Sequence, residues 1–212
     1  MKRTLICFFF AIVLMLSLMS TSCNLPVDSI VNIDWVDFIK INDITYLRQN
    51  SDVPPGHDML TYYTEVKFKV ADNVNNPNYK IKDGDAAYLE AGTKIYTQAG
   101  YSPYFRLVAM REQELIIFEA DTNPDAAKGS DLLDIGDKVE YIGINSSLDG
   151  KTELAAIRNS EHVTELVEMV LRAPVDQTRQ QSGTEQYFLE FHLKDGTSVN
   201  HSYWLDTGEL HR

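Results

Sequence analysis

The chain has 212 residues, 44% hydrophobic and 24% charged, with 31 Asp+Glu against 19 Lys+Arg and only two Cys. That composition excludes collagen, a disordered polyampholyte and a disulfide-stapled miniprotein. The formal net charge of −12 repels phosphate backbones and argues against nucleic acid as a partner.

Lys2 and Arg3 precede an almost unbroken apolar run from Leu5 to Met19, after which come Ser20, Thr21, Ser22 and Cys23. A basic start, an apolar stretch shorter than the roughly 20 residues that span a bilayer, and a run of small residues give residues 1–22 the layout of a secretory signal peptide. Ser20-Thr21-Ser22-Cys23 resembles the lipobox of bacterial lipoproteins, with Ser20 standing where Leu is usual. The resemblance implies that the Cys23 thiol receives a diacylglycerol and becomes the first residue of the mature chain, held at the extracytoplasmic face of the cell membrane. Ser20-x-Ser22 also suits an ordinary signal peptidase, which would leave Cys23 as a free thiol, and an uncleaved anchor is the third outcome. Cys7 lies inside the apolar run, so no internal disulfide is expected in the mature chain.

Residues 23–32 read as a polar tether. From 33 to 212 the chain reads as a β-rich globular domain, or as two subdomains meeting near 125–135. Trp35 to Ile41 and Ile44 to Leu47 flank Asn42-Asp43 and predict a hairpin. Arg48 to Asp58, with two Pro and a Gly, reads as a loop. Period-two alternation from Leu60 to Val70 predicts one long strand with one apolar face. A turn at Lys82 to Asp85 leads to short strands at Ala86 to Leu89 and Thr93 to Thr97. Phe105 to Met110 and Leu115 to Ala120 suggest a second hairpin, with a helix over the same span as the alternative. A helical turn at Asp131 to Ile135 precedes strands at Lys138 to Ile144 and Thr152 to Ile157. Val163, Leu166, Val167, Val170 and Leu171 recur at helical spacing between Ser160, read as an N-cap, and Pro174. Gln186 to Leu193 and Ser198 to Leu205 flank Asp195-Gly196 as a final hairpin. The fold class is α+β, mainly antiparallel, with hairpins and one amphipathic helix on a sheet face.

If Asp195-Gly196 is a two-residue turn, Glu190 faces His201 and His192 lies two residues along the same face. Glu190, His192 and His201 then form a candidate metal set, against the plainer reading of a solvated sheet face; a one-residue slip dissolves it. Asp121, Asn123 and Asp125 open like a calcium loop, but Ala126 and Leu132 stand where Gly and Glu are needed. Asn145, Ser147 and Asp149 make a similar partial match. Tyr62, Tyr63, Tyr79, Tyr88, Tyr96, Tyr101, Tyr104 and Phe105 make an aromatic-rich middle suited to core packing or to stacking on a sugar or peptide. There is no G-x-S-x-G elbow, S-x-x-K pair or phosphate-cradling Gly motif, so no catalytic residue is named and no cofactor is expected.

Taken whole, the chain resembles the small lipoproteins of Gram-positive bacteria, on residues 1–23 above all and on the β-rich body with its Leu193-Lys194-Asp195-Gly196-Thr197 turn. The resemblance implies an extracytoplasmic, membrane-tethered domain and supplies no catalytic residues. The expected function is a non-enzymatic binding or accessory module at the cell envelope, with an envelope protein or a glycan as partner. The alternatives are a hydrolase using an acidic pair or a metal on the last hairpin, and a regulatory partner of a membrane protein.

Overall fold

The computed structural model describes residues 33–49, 56, 59–176 and 183–211. The signal peptide, Cys23 and the tether lie outside the described residues, as does most of the loop from 48 to 58. Strands β1 (Phe38–Ile41) and β2 (Ile44–Arg48) are joined by Asn42 and Asp43, with φ of 52° and 62°. Two successive left-handed residues make the tight hairpin turn that Asn and Asp tolerate best.

The long strand expected from Leu60 to Val70 is two, β3 (Leu60–Glu65) and β4 (Phe68–Lys69), because the chain changes partners between them. Val66 donates to the Thr93 carbonyl (2.9 Å) and accepts from Gly92 (2.8 Å), whereas Lys67 and Phe68 both donate to the Gly84 carbonyl (2.8 and 3.2 Å). A bulge at Tyr63 further breaks the alternation, since Tyr62 pairs with Tyr96 but Thr64 pairs with Ile95. Tyr62, expected on the apolar face, is instead 56% exposed.

Strands β5 (Asp85–Ala86), β6 (Lys94–Gln98), β7 (Arg106–Arg111) and β8 (Glu114–Thr122) complete the first sheet, in the order β3-β6-β7-β8-β2-β1-β5-β4. Its two end strands are nearly consecutive in the chain, so the sheet curls round on itself as a partly closed barrel. Ile39, Ile41, Tyr46, Val66, Ile95, Leu107 and Phe118 fill its interior. β7 and β8 form the hairpin rather than the alternative helix, turning through Glu112 at φ 57°.

The second sheet contains β9 (Val139–Asn145), β10 (Glu153–Ile157), β11 (Gln186–Leu193), β12 (Ser198–Trp204) and β13 (Glu209–His211), in the order β10-β9-β11-β12-β13. Helix α1 (Ser160–Arg172) lays Val163 and Val167 against the inner face of this sheet, among Ile142, Phe191 and Val199. The helix starts where its period predicts, but the cap is Asn159, not Ser160: the Asn159 side chain accepts from the Glu161 and His162 N–H groups (3.0 and 3.1 Å). The expected helical turn lies slightly earlier, as a 3₁₀ turn at Gly129–Asp131.

Ile33–Arg212 forms one compact unit, so the two sheets belong to a single folded body. Its architecture is α+β and mainly antiparallel, the β4–β5 pair being parallel. Among the described residues, no helix is long and apolar enough to cross a membrane.

Candidate functional site on the outer face of the second sheet

The β11–β12 turn decides which of the candidate ligands share a face. Leu193 donates to the Thr197 carbonyl (2.8 Å) and Gly196 donates to the Leu193 carbonyl (2.9 Å), with Gly196 at φ 85°. This is a three-residue loop, Lys194-Asp195-Gly196, in which the glycine supplies a left-handed bulge; it is not the two-residue turn expected. Register therefore moves by one: Leu189 faces His201, and Glu190 faces Asn200. A one-residue slip exchanges the faces of a strand. His201 is accordingly buried on the core side, edge-on to Phe191 with ring centroids 6.4 Å apart. The Glu190, His192 and His201 set is not assembled, and among the described residues no three His, Cys, Asp or Glu side chains are placed to hold a metal ion.

Glu190 and His192 do share the outer face, with the His192 Nε2 3.7 Å from the Glu190 Oε2. Their other neighbours come from β9, β10 and β12. Ser198 donates its hydroxyl to the Glu190 Oε1 (2.7 Å), and the Asn145 Nδ2 donates to the Glu190 Oε2 (2.8 Å). His192 stacks on Tyr141 with centroids 4.1 Å apart and planes 11° off parallel, and the Arg158 guanidinium lies 3.9 Å from the centre of the same Tyr ring. Glu153 reaches the Arg158 guanidinium at 3.6 Å.

Gly143 sits in the middle of this face, between Ala156 on β10 and Glu190 on β11. Gly143 is itself buried, and polar side chains close over its backbone. A Cβ placed on Gly143 would lie 3.3 Å from the Glu153 Oε2 and 3.4 Å from both the Asn145 Oδ1 and the His192 Nε2. Asn145 is 1% exposed, and its Oδ1 has no hydrogen-bond donor. The β9–β10 loop flanks these side chains, its Gly150 carbonyl accepting from the Asn145 and Asn200 side chains (both 3.3 Å).

Asp149, the last member of the second partial calcium match, is exposed but engaged within that loop. Its carboxylate accepts from the Thr152 hydroxyl (2.6 Å) and from the Thr152 and Lys151 N–H groups (both 2.9 Å). Those bonds stabilise the ionised form and pull it down to about 2. Asn123, in the first match, is likewise spent on a local turn, accepting from the Asp125 N–H (3.1 Å).

The aromatic-rich middle divides between structural and exposed rings. Phe105 is in the second core, the Tyr79 hydroxyl donates to Asp85 (2.8 Å), and the Tyr101 hydroxyl donates to Asp195 (2.7 Å). Tyr62 and Tyr104 remain exposed, at 56% and 59%.

Sequence reasoning missed Gly143, Asn145, Glu153 and Ser198 as members of one face. Only strand order and register reveal them, because they come from strands distant in the chain. It also missed the Arg106–Glu119 ion pair, a 2.6 Å contact with both side chains fully buried. No protein-family model, curated protein or solved structure matches this chain.

Proposed function

We propose that this chain is an extracytoplasmic lipoprotein, held to the membrane through a lipid on Cys23, whose folded body is a non-enzymatic binding or accessory module at the cell envelope. The anchor reading is supported by Lys2-Arg3, the apolar run to Met19 and the small residues leading to Cys23.

The order of groups on the outer face supports binding over turnover. In a nucleophilic relay the imidazole stands between the hydroxyl and the carboxylate, so that it can take the hydroxyl proton. Here the Glu190 carboxylate stands between them, accepting from Ser198 at 2.7 Å and lying 3.7 Å from His192. Ser198 is hydrogen-bonded to the Glu190 carboxylate and not to an imidazole, as such a relay requires. The face is built to present acceptors, and the exposed rings of Tyr62 and Tyr104 add surfaces on which a sugar or peptide can stack.

Fractionation of cells expressing the chain, with mass analysis of its N-terminus, tests the anchor. The wild-type protein is expected in the membrane fraction with a lipid-modified Cys23, and Cys23→Ser in the soluble or unprocessed fraction. Intact Met1 on a protein recovered wholly from the cytosol overturns the reading. Photocrosslinking from residue 62 in intact cells tests the module: one dominant neighbour or glycan is expected, and scattered low-yield adducts count against it.

A further inference from the structure

We infer that the patch formed by Trp35, Val36 and Tyr88, where the folded body begins, rests on the lipid headgroup surface. This deepens the anchor reading by naming the face that meets the bilayer, and rests on it. Val36 and Tyr88 are 66% and 38% exposed, two large apolar side chains left outside the cores. The Tyr88 hydroxyl donates to the Trp35 carbonyl (2.6 Å), which clasps the start of the body to the first sheet. The Trp35 ring packs tilted on Phe38 and edge-on to Tyr79, with centroids 6.1 and 6.5 Å away. The patch is therefore continuous and fixed in place next to Ile33.

Chain length and side-chain chemistry select the occupant. Only the residues from Cys23 to Ile33 separate the lipid from the body, and even fully extended they span at most about 33–36 Å. A compact unit the size of Ile33–Arg212 has a radius of gyration of about 16 Å and is thus about 40 Å across. The connection is too short to pass round the body and turn its far side to the bilayer, so the side carrying residues 35 and 36 stays nearest the lipid. A second protein would have to enter the gap that this connection keeps narrow. Trp and Tyr are the side chains that settle at a membrane–water boundary, each with an apolar body and a polar tip. Charge adds little, because exposed Lys82, 5.7 Å from the centre of the Tyr79 ring, is offset by exposed Asp34 and Asp83. Contact is made through the rings and the Val36 methyls and does not require anionic lipid.

Labelling Val36→Cys in the full chain with an environment-sensitive thiol dye, after reconstitution in phosphatidylcholine vesicles, tests the assignment. Emission is expected at shorter wavelength than from the same dye on Leu148→Cys, a 94% exposed site in the β9–β10 loop. Lipid carrying a nitroxide at the headgroup should quench the label at 36 about threefold more strongly than the label at 148. Adding phosphatidylglycerol to the vesicles should change neither. Inserting a Gly/Ser segment of about twenty residues between Asn32 and Ile33 separates docking from mere proximity. Quenching at 36 should then persist with Tyr88 or Tyr88→Phe and fall by about half or more with Tyr88→Ser, in proteins that circular dichroism shows to be folded. Equal quenching at 36 and 148, loss of quenching on lengthening, or indifference to Tyr88→Ser would each overturn the inference. So would a single protein adduct captured from a photocrosslinker at residue 36 in intact cells. Mass analysis of the same preparation reports the lipid on Cys23. An unmodified Cys23 sinks the anchor reading, whereas a lipidated Cys23 with an unquenched label at 36 sinks this inference alone.

Discussion

Arg106 is the residue on which the two sheets converge. It leaves β7 with no exposed side-chain area, gives Nε and Nη2 to the Glu119 Oε1 on β8 (3.1 and 2.6 Å), and reaches the Thr197 hydroxyl (3.1 Å) and Asp195 (3.3 Å) in the β11–β12 turn. Its guanidinium also lies 4.0 Å from the centre of the Tyr101 ring. Removing one member of a buried ion pair leaves the other charge uncompensated, a loss of about 3–5 kcal/mol, whereas replacing both with apolar side chains is often close to neutral. Arg106→Met should therefore destabilise by that amount, and Arg106→Met with Glu119→Leu should recover most of it; urea titration of the four proteins of this cycle measures the coupling. Asp195 supplies a pH signature. Burial alone would raise its carboxyl, but bonds from Thr197 and Tyr101 and the charge of Arg106 outweigh it and hold the group below its usual range. The unfolded chain then takes up the proton first, so the contribution is complete above the unfolded value of about 3.9 and disappears as pH falls through the lower folded value. The melting-temperature gap between wild type and Asp195→Asn should narrow from neutral pH to about pH 3, and a constant gap would refute the linkage.

At the scale of elements, the stability of α1 depends on a cap that the pattern of residues left ambiguous. Asn159 and Ser160 are both good caps, and only backbone geometry separates them: Asn159 is extended at φ −69°, ψ 120°, while Ser160 is already the first helical residue. Asn159→Ala should cost about 1 kcal/mol in thermal or chemical denaturation, and Ser160→Ala much less. The same contrast runs through the fold. Alternation and helical spacing are properties of a single segment, so β1, β2, β9, β10 and α1 were legible, whereas the short apolar runs of β7 and β8 left a hairpin and a helix both open. Partner exchange at Val66-Lys67 and the Tyr63 bulge belong to pairs of strands, so the break between β3 and β4 was not. Asp195-Gly196 suits a two-residue turn or the second half of a three-residue loop, and only the bonds closing the hairpin distinguish them. That one-residue difference carried His201 into the core while leaving Glu190 and His192 outside. Of the outer face, the two β11 residues could be read from alternation alone. Asn145, Glu153 and Gly143 reach it only through the lateral order of β10, β9 and β11.

For the whole molecule the question is whether the barrel-like sheet and the second sheet unfold together. Three connections argue that they do. Arg106 ties β7 and β8 to the β11–β12 turn; Phe105, immediately before β7, packs in the second core; and Asp134 accepts from the Ser102 N–H (2.7 Å) while pairing with Lys138 (2.5 Å). The chain has two tryptophans, and they fall on opposite sides of this junction. Trp35 packs with Phe38 and Tyr79 beside the first sheet, and Trp204 ends β12 in the second. Trp35→Phe and Trp204→Phe thus leave single reporters of each sheet. If the junction makes one cooperative unit, the urea midpoints seen by fluorescence in the two variants coincide, after correction for any stability change seen by circular dichroism. Introducing Arg106→Met into both backgrounds removes the central tie and should separate the two curves, with the sheet carrying the less extensive core unfolding first. Separate midpoints with Arg106 intact would mean that the contacts around it orient the sheets without coupling their stability.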